Sequence, residues 1–107
     1  MISFEEFQKV EIKVGKVLSV EDHPNADKLM VIRADVGEGN PRTLVAALKP
    51  HYKPAELEGK LIVVVTNLQP ARLRGIESGG MLLAALDGDK VVVLTLDRPA
   101  SPGSPVK

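Results

Sequence analysis

Tyr52-Lys53-Pro54-Ala55-Glu56-Leu57-Glu58-Gly59-Lys60-Leu61-Ile62-Val63-Val64-Val65-Thr66 decides the fold. Pro54 opens, and Gly59 follows, one helical turn. Proline lacks an N–H that the first helical position does not need, and glycine tolerates the backbone that ends a helix. Leu61 to Thr66 then reads as a strand, because branched side chains pack well on a pleated surface. Three strand patterns lie upstream. Val10, Ile12 and Val14 alternate with Glu11 and Lys13, and the run continues through Val17, Leu18 and Val20. Gly15 interrupts it, which predicts a bulge or bend. A long first strand bent there serves both sides of a small barrel. The turn-rich loop His23-Pro24-Asn25-Ala26-Asp27 leads to a second strand, Leu29 to Val36. Gly37 to Pro41 turns the chain into a third, Thr43 to Leu48. Downstream, Met81 to Leu86 is the fifth, and Asp87-Gly88-Asp89 turns it into Lys90 to Leu96.

A helix between strands three and four is the mark of the oligonucleotide/oligosaccharide-binding barrel. A small sandwich explains that helix less well. The expected architecture is therefore all-β: a five-stranded barrel of this type, a short helix between strands 3 and 4, an N-terminal helix and a C-terminal extension. Residues 1–107 form one domain, as this length implies. Within it, 1–8 are the N-terminal helix, 9–86 the barrel, and 87–107 a C-terminal hairpin and extended tail. Ser3 with Glu6 makes a capping box, and Ile2 with Phe7 the flanking staple; Phe4 and Phe7 are expected to be buried. Three prolines and two serines after Arg98 predict an extended, partly mobile tail.

Composition narrows the function. The chain is 44% apolar, without an apolar run long enough to span a bilayer. Its acidic start, Met1-Ile2-Ser3-Phe4-Glu5-Glu6-Phe7, lacks the pattern of a secretory signal. Cysteine is absent, which removes disulfides, thiolate catalysis and Cys-based zinc sites. A cytoplasmic location is expected. Lys plus Arg equal Asp plus Glu at 14 each, which argues against a generic nucleic-acid sponge. The charge is uneven along the chain, however: residues 1–27 carry a balance of −3 and residues 28–74 one of +4.

Between the fourth and fifth strands lies a polar loop holding Arg72, Arg74 and Ser78. A loop pinned at both ends by buried strands presents a rigid binding edge and holds no catalytic machinery. Ser78 misses the G-x-S-x-G spacing of a hydrolase nucleophile, and a strand follows it instead of a helix. Its hydroxyl is expected to bond local backbone or a ligand. Gly79-Gly80 allows a bound chain to come close. If extended, Arg72 and Arg74 point one way and Leu73 the other, a pattern that suits successive phosphates or a solvated pair. Met81 opens a strand at the edge of the core. His23 and His51 have no second ligand at metal spacing, so no metal site is expected. No cofactor is expected either. His23 belongs to the chemistry of the turn beside Pro24, where Asn25 and Asp27 fold onto backbone. Phe4, Phe7 and Tyr52 are the only aromatics. Without stacking platforms, RNA would be recognised through backbone and shape.

The ordered set Val10-Glu11-Ile12-Lys13-Val14-Gly15-Lys16-Val17, His23 to Leu29, Val36-Gly37-Glu38, Tyr52 to Lys60, Asn67-Leu68-Gln69-Pro70 and Gly75 to Ala84 resembles the tRNA-binding domain family. This barrel occurs free-standing in bacteria and appended to methionyl-tRNA synthetases, with similar domains in the cofactor related to endothelial monocyte-activating polypeptide. Asp97-Arg98 with Pro102-Gly103 also fits the family's C-terminal end, so the likeness covers nearly the whole chain. The resemblance implies non-catalytic, structure-specific binding of folded tRNA near the outer corner of the L. It implies a homodimer formed through the N- and C-terminal ends, or a C-terminal tRNA-binding and dimerisation domain of an aminoacyl-tRNA synthetase. The positions matching the family's RNA-contacting motif are Lys28, Asn67, Ser78 and Met81, with Lys13, Arg33, Arg72 and Arg74 at positions where basic or polar residues recur. Gly79 departs from the glutamine of many members, and Ala46-Ala47-Leu48 from a small residue, glycine and an aliphatic. A related branch, implicated in protein secretion, binds unfolded polypeptide; that chaperone activity is the alternative.

Overall fold

The computed structural model describes residues 1–107. Its element order is α1 (Phe4–Gln8), β1 (Ile12–Asp22), β2 (Met30–Asp35), β3 (Arg42–Ala46), α2 (Pro54–Leu57), β4 (Leu61–Val65), β5 (Ala71–Leu73), β6 (Ile76–Ser78), β7 (Met81–Leu82), β8 (Ala84–Asp87) and β9 (Lys90–Val93). Five strands form one antiparallel sheet in the order β3-β2-β1-β4-β7. The chain belongs to the fold class its sequence predicts. β1 does serve both sides of the barrel: residues 12–16 pair with β4, and residues 16–22 pair with β2.

The register shift in β1 falls between Val17 and Ser19 rather than at Gly15, which pairs with Ile62 without interruption. Gly15 answers a packing need instead. A Cβ there would lie 3.1 Å from Val64 Cγ2 and 3.2 Å from Val36 Cγ1. The bulge at Leu18 leaves that side chain half exposed while Val17 and Val20 enter the core, as an unpaired extra residue does.

Apolar side chains from every wall meet inside. Met30, Ile32 and Ala34 of β2, Leu44 of β3, and Ile62 and Val64 of β4 are essentially inaccessible. Leu57 of α2 plugs the end of this core. α2 keeps the geometry set by its ends: Lys53 N donates to Glu56 Oε1 (2.8 Å), and Gly59 takes φ +82° while its N–H bonds Val17 O.

The barrel closes where the chain after β6 crosses β3. Gly79 N donates to Thr43 O (2.8 Å), and Val45 N donates to the Ser78 hydroxyl (3.0 Å). Gly80 sits in the seam, where a Cβ would stand 3.0 Å from Leu44 Cδ2 and 3.1 Å from Val65 O. That glycine makes room for the barrel's own wall, not for a bound chain.

Three further expectations change. Phe4 is 72% exposed and α1 buries none of its residues. Ser3 caps that helix by accepting from Glu6 N (3.1 Å), but five residues make too short a helix to cover both rings. The tail is fastened along β1: Gly103 N bonds Val14 O, Val14 N bonds Ser104 O, and Val106 N bonds Ile12 O. Its backbone crosses that of Gly37 so closely that a Cβ on Gly37 would lie 2.6 Å from Gly103 Cα. Finally, residues 71–78 form a β-hairpin rather than a loop. The β8–β9 hairpin is held by Tyr52, whose hydroxyl accepts from Val93 N (3.0 Å) while Lys60 Nζ stands 5.5 Å from the ring centroid.

Candidate nucleic-acid interface

The β5–β6 hairpin pairs Ala71 with Ser78, Arg72 with Glu77 and Leu73 with Ile76, so Arg74-Gly75 is a two-residue loop. Both loop residues have positive φ, 53° and 92°. That is the turn whose twist matches an antiparallel ribbon. It also separates the two arginines. Arg72 is on the strand and donates to Gly75 O (3.1 Å); Arg74 sits at the tip and donates through Nε to Asn25 O (3.2 Å). They do not share an extended strand, so the parallel side-chain arrangement expected from their spacing is not formed.

Arg74 thereby touches the loop between β1 and β2, which carries Lys28. A second bond joins the same two loops. His23 is only 4% exposed. Its Nδ1 accepts from Asn25 N (2.9 Å), so its Nε2 is the protonated nitrogen and donates to Leu73 O (3.0 Å). Lys28 is exposed, and its carbonyl accepts from Lys49 N. Arg33 is exposed on β2, directly across from Ser19 on one side and Thr43 on the other. Ala71 and Leu73, alternating with Arg72, line a groove of about 250 Å³ with Val45, Leu68 and Met81. Met81 is 48% exposed there, whereas its neighbour Leu82 enters the core.

The other expected site residues sit differently. The Ser78 hydroxyl is buried and fully used, accepting from Val45 N and donating to Gly80 O (2.9 Å). The Asn67 carboxamide reaches back to the segment after α1: Oδ1 accepts from Glu11 N (2.8 Å) and Nδ2 donates to Lys9 O (2.7 Å). Lys13 pairs with Glu11 at 3.5 Å. Lys13 and Asn67 both line a cleft of about 380 Å³ with Phe4, Phe7, Val10 and Val106. The structure thus gathers Lys28, Arg72, Arg74 and Met81 on or beside two joined loops, and places Lys13 and Asn67 at the end of the molecule where the two chain termini meet.

Sequence reading missed Arg42. Its guanidinium clamps both Glu38 oxygens (2.8 and 2.7 Å) and donates to the carbonyls of Thr66 and Gly79. The bidentate partner raises the Arg42 pKa and lowers that of Glu38, hydrogen bonding outweighing desolvation in each. Glu11 is also held below the usual carboxylate range, chiefly by the Thr66 hydroxyl (2.6 Å) and then by Lys13. The four-residue separation of Glu38 and Arg42 was the available signal, but it spans a turn, where a helical pairing rule does not apply.

No group of three or more His, Cys, Asp or Glu side chains converges in the molecule, and no helix is long and apolar enough to cross a membrane. Comparison with known proteins gives a consistent result. Residues 12–105 match the family model described as "Putative tRNA binding domain". The chain is 54% identical over 106 residues to the methionine–tRNA ligase of Pyrococcus furiosus, covering 99% of this chain and 14% of that protein. It thus spans about one-seventh of such a relative. Among solved structures, a MetRS-related protein from Pyrococcus horikoshii superposes with a TM-score of 0.93 at 34% identity, covering 100% of this chain and 98% of the other. The CsaA chaperone protein from Picrophilus torridus gives 0.92 at 30% identity, with both chains covered completely. A model match across most of the chain and a solved relative of equal length together establish that the chain belongs to the tRNA-binding domain family.

Proposed function

We propose that this chain is a non-catalytic, structure-specific tRNA-binding module. The observation that carries the reading is the placement of its cations on two loops joined by His23 and Arg74. Lys13, Arg42 and Lys49 are committed to Glu11, Glu38 and Asp22. Ten cations have no carboxylate partner; of these, Lys28, Arg72 and Arg74 ride on the two joined loops and Arg33 stands exposed on β2. Unpaired guanidinium and ammonium groups on a stiff ledge suit phosphates spaced along a folded backbone. Met81 and the groove beside it receive an exposed ribose or base. Ser78 contributes by fixing the base of the β5–β6 hairpin, and Asn67 by tying the segment after β4 to the residues behind α1. The partner is the outer corner of a folded tRNA in the cytoplasm, and the working unit is a homodimer built on the exposed Phe4, Phe7 and Val10 at the end where the chain termini meet, alone or joined to an aminoacyl-tRNA synthetase. Two linked sites raise apparent affinity when one RNA reaches both.

The test is a titration of the protein with folded tRNA, a linear RNA of equal length and an unfolded polypeptide, at two salt concentrations. Preference for folded tRNA, reduced by Arg72→Glu, supports the proposal; equal affinity for the two RNAs overturns shape recognition. The chaperone alternative has its own supporting observation, the apolar groove of Leu68, Leu73 and Met81 in a chain whose fold matches a CsaA protein. The higher identity to methionine–tRNA ligases favours RNA. Tighter binding of the polypeptide than of either RNA would reverse that order.

A further inference from the structure

We infer that His23 is a positioning residue which sets the separation of the two RNA-binding loops. This rests on the RNA-binding reading above. One imidazole does two jobs: Nδ1 closes its own turn on Asn25 N, and Nε2 reaches a residue fifty positions away, Leu73 O. The ring is almost wholly enclosed, so water competes poorly for either bond. Leu73 is flanked by Arg72 and Arg74, and Asn25 lies three residues before Lys28. A bond from His23 to the Leu73 carbonyl therefore fixes the backbone between the two arginines relative to the loop that bears Lys28. Arg74 Nε to Asn25 O is a second strap between the same loops, but its donor is solvent-exposed and belongs to a side chain assigned to phosphate. When Arg74 turns to RNA, His23 alone keeps the loops in register. Cations held at a fixed separation discriminate a bent, folded RNA from a linear one that adapts to any separation.

The variant that isolates this role is His23→Asn. A carboxamide oxygen at position 23 still accepts from the amide two residues on, as asparagine does in turns, but the shorter side chain does not reach Leu73. The expected result is a loss of preference for folded tRNA over linear RNA of roughly two- to tenfold, the range that one hydrogen bond carries. The salt dependence of binding should stay unchanged, because no cation is removed. His23→Gln, with a longer reach for the Leu73 carbonyl, should restore part of the preference. Unchanged preference in His23→Asn overturns the inference, and so does an equal weakening for both RNAs that tracks the melting temperature. Wild-type protein without any preference for folded tRNA instead defeats the RNA-binding reading itself. A measurement on the unmodified chain covers the case of unfolded variants. Amides of residues 71–78 should be protected from hydrogen exchange before RNA is added; a hairpin protected only in the complex overturns preorganisation by His23.

Discussion

At the level of single residues, two of the polar side chains that look like ligand contacts in sequence, Ser78 and Asn67, fasten the protein's own backbone. Ser78 replaces a missing ladder bond at the seam, since its hydroxyl takes the Val45 amide. Ser78→Ala should cost about 1–3 kcal/mol, the penalty for a buried donor left without a partner. Urea unfolding checks the cost. Glu11 and Glu38 extend the same logic to charge. Both carboxyls have folded pKa values lowered from 4.5. The unfolded chain therefore takes up these protons at a higher pH than the folded one does. Their stabilising contribution is complete above that ordinary value and fades as pH falls through the lowered folded values. Thermal melts between pH 6 and about pH 3 should show a falling Tm, with a shallower slope in Glu38→Gln; an unchanged slope would remove the Glu38–Arg42 clamp from the explanation.

Elements show which parts of the design were legible. The α2 turn was written plainly by Pro54 and Gly59, and β1 to β4 by their alternating or branched residues. The β5–β6 hairpin was hidden, because strands of three residues carry too few positions for a period to register. The tight turn also uses arginine at a left-handed position, where Asn or Asp is the usual signal. The cross-loop bonds of His23 and Arg74 were illegible for a different reason: their acceptors are backbone carbonyls, which every residue has, so no side-chain pattern announces them. The family resemblance, not the residue pattern, singled out Lys28 and Met81, while the buried bonds of Ser78 and the long-range carboxamide bonds of Asn67 needed coordinates. The tail likewise reads as loose by composition but is held at the Gly37–Gly103 crossing, where both residues have positive φ. Gly103→Ala should lower stability by more than about 1 kcal/mol, because a side chain is strained in that backbone region and also meets the opposite chain. A guanidinium titration of that variant checks it, and loss of protection at the Val14 and Val106 amides should accompany the change.

Across the whole molecule, charge is sorted instead of accumulated. A chain with no net formal charge places three of its ten unpaired cations, Lys28, Arg72 and Arg74, on two joined loops, with Arg33 exposed on β2. If these four each meet a phosphate, log affinity should fall with log salt at a slope of about −3 per subunit, at roughly 0.7 to 0.9 per contact. Arg72→Gln should reduce that slope by about one contact; a slope near zero in the wild-type protein would remove phosphate from the interaction. The apolar residues left outside the core, Phe4 and Leu86 foremost, are where self-association should be sought, and sedimentation across a dilution series measures it. The bond of the Tyr52 phenol to β9 of the β8–β9 hairpin has a practical consequence for these experiments. Tyr52 is the sole tyrosine and tryptophan is absent, so the intrinsic emission of the protein comes from a single ring wedged between Lys60 and the Val93 amide. A step in that emission on dilution or across the melting transition, beyond the smooth thermal decline of free tyrosine, reports a change at this junction with no dye and no label.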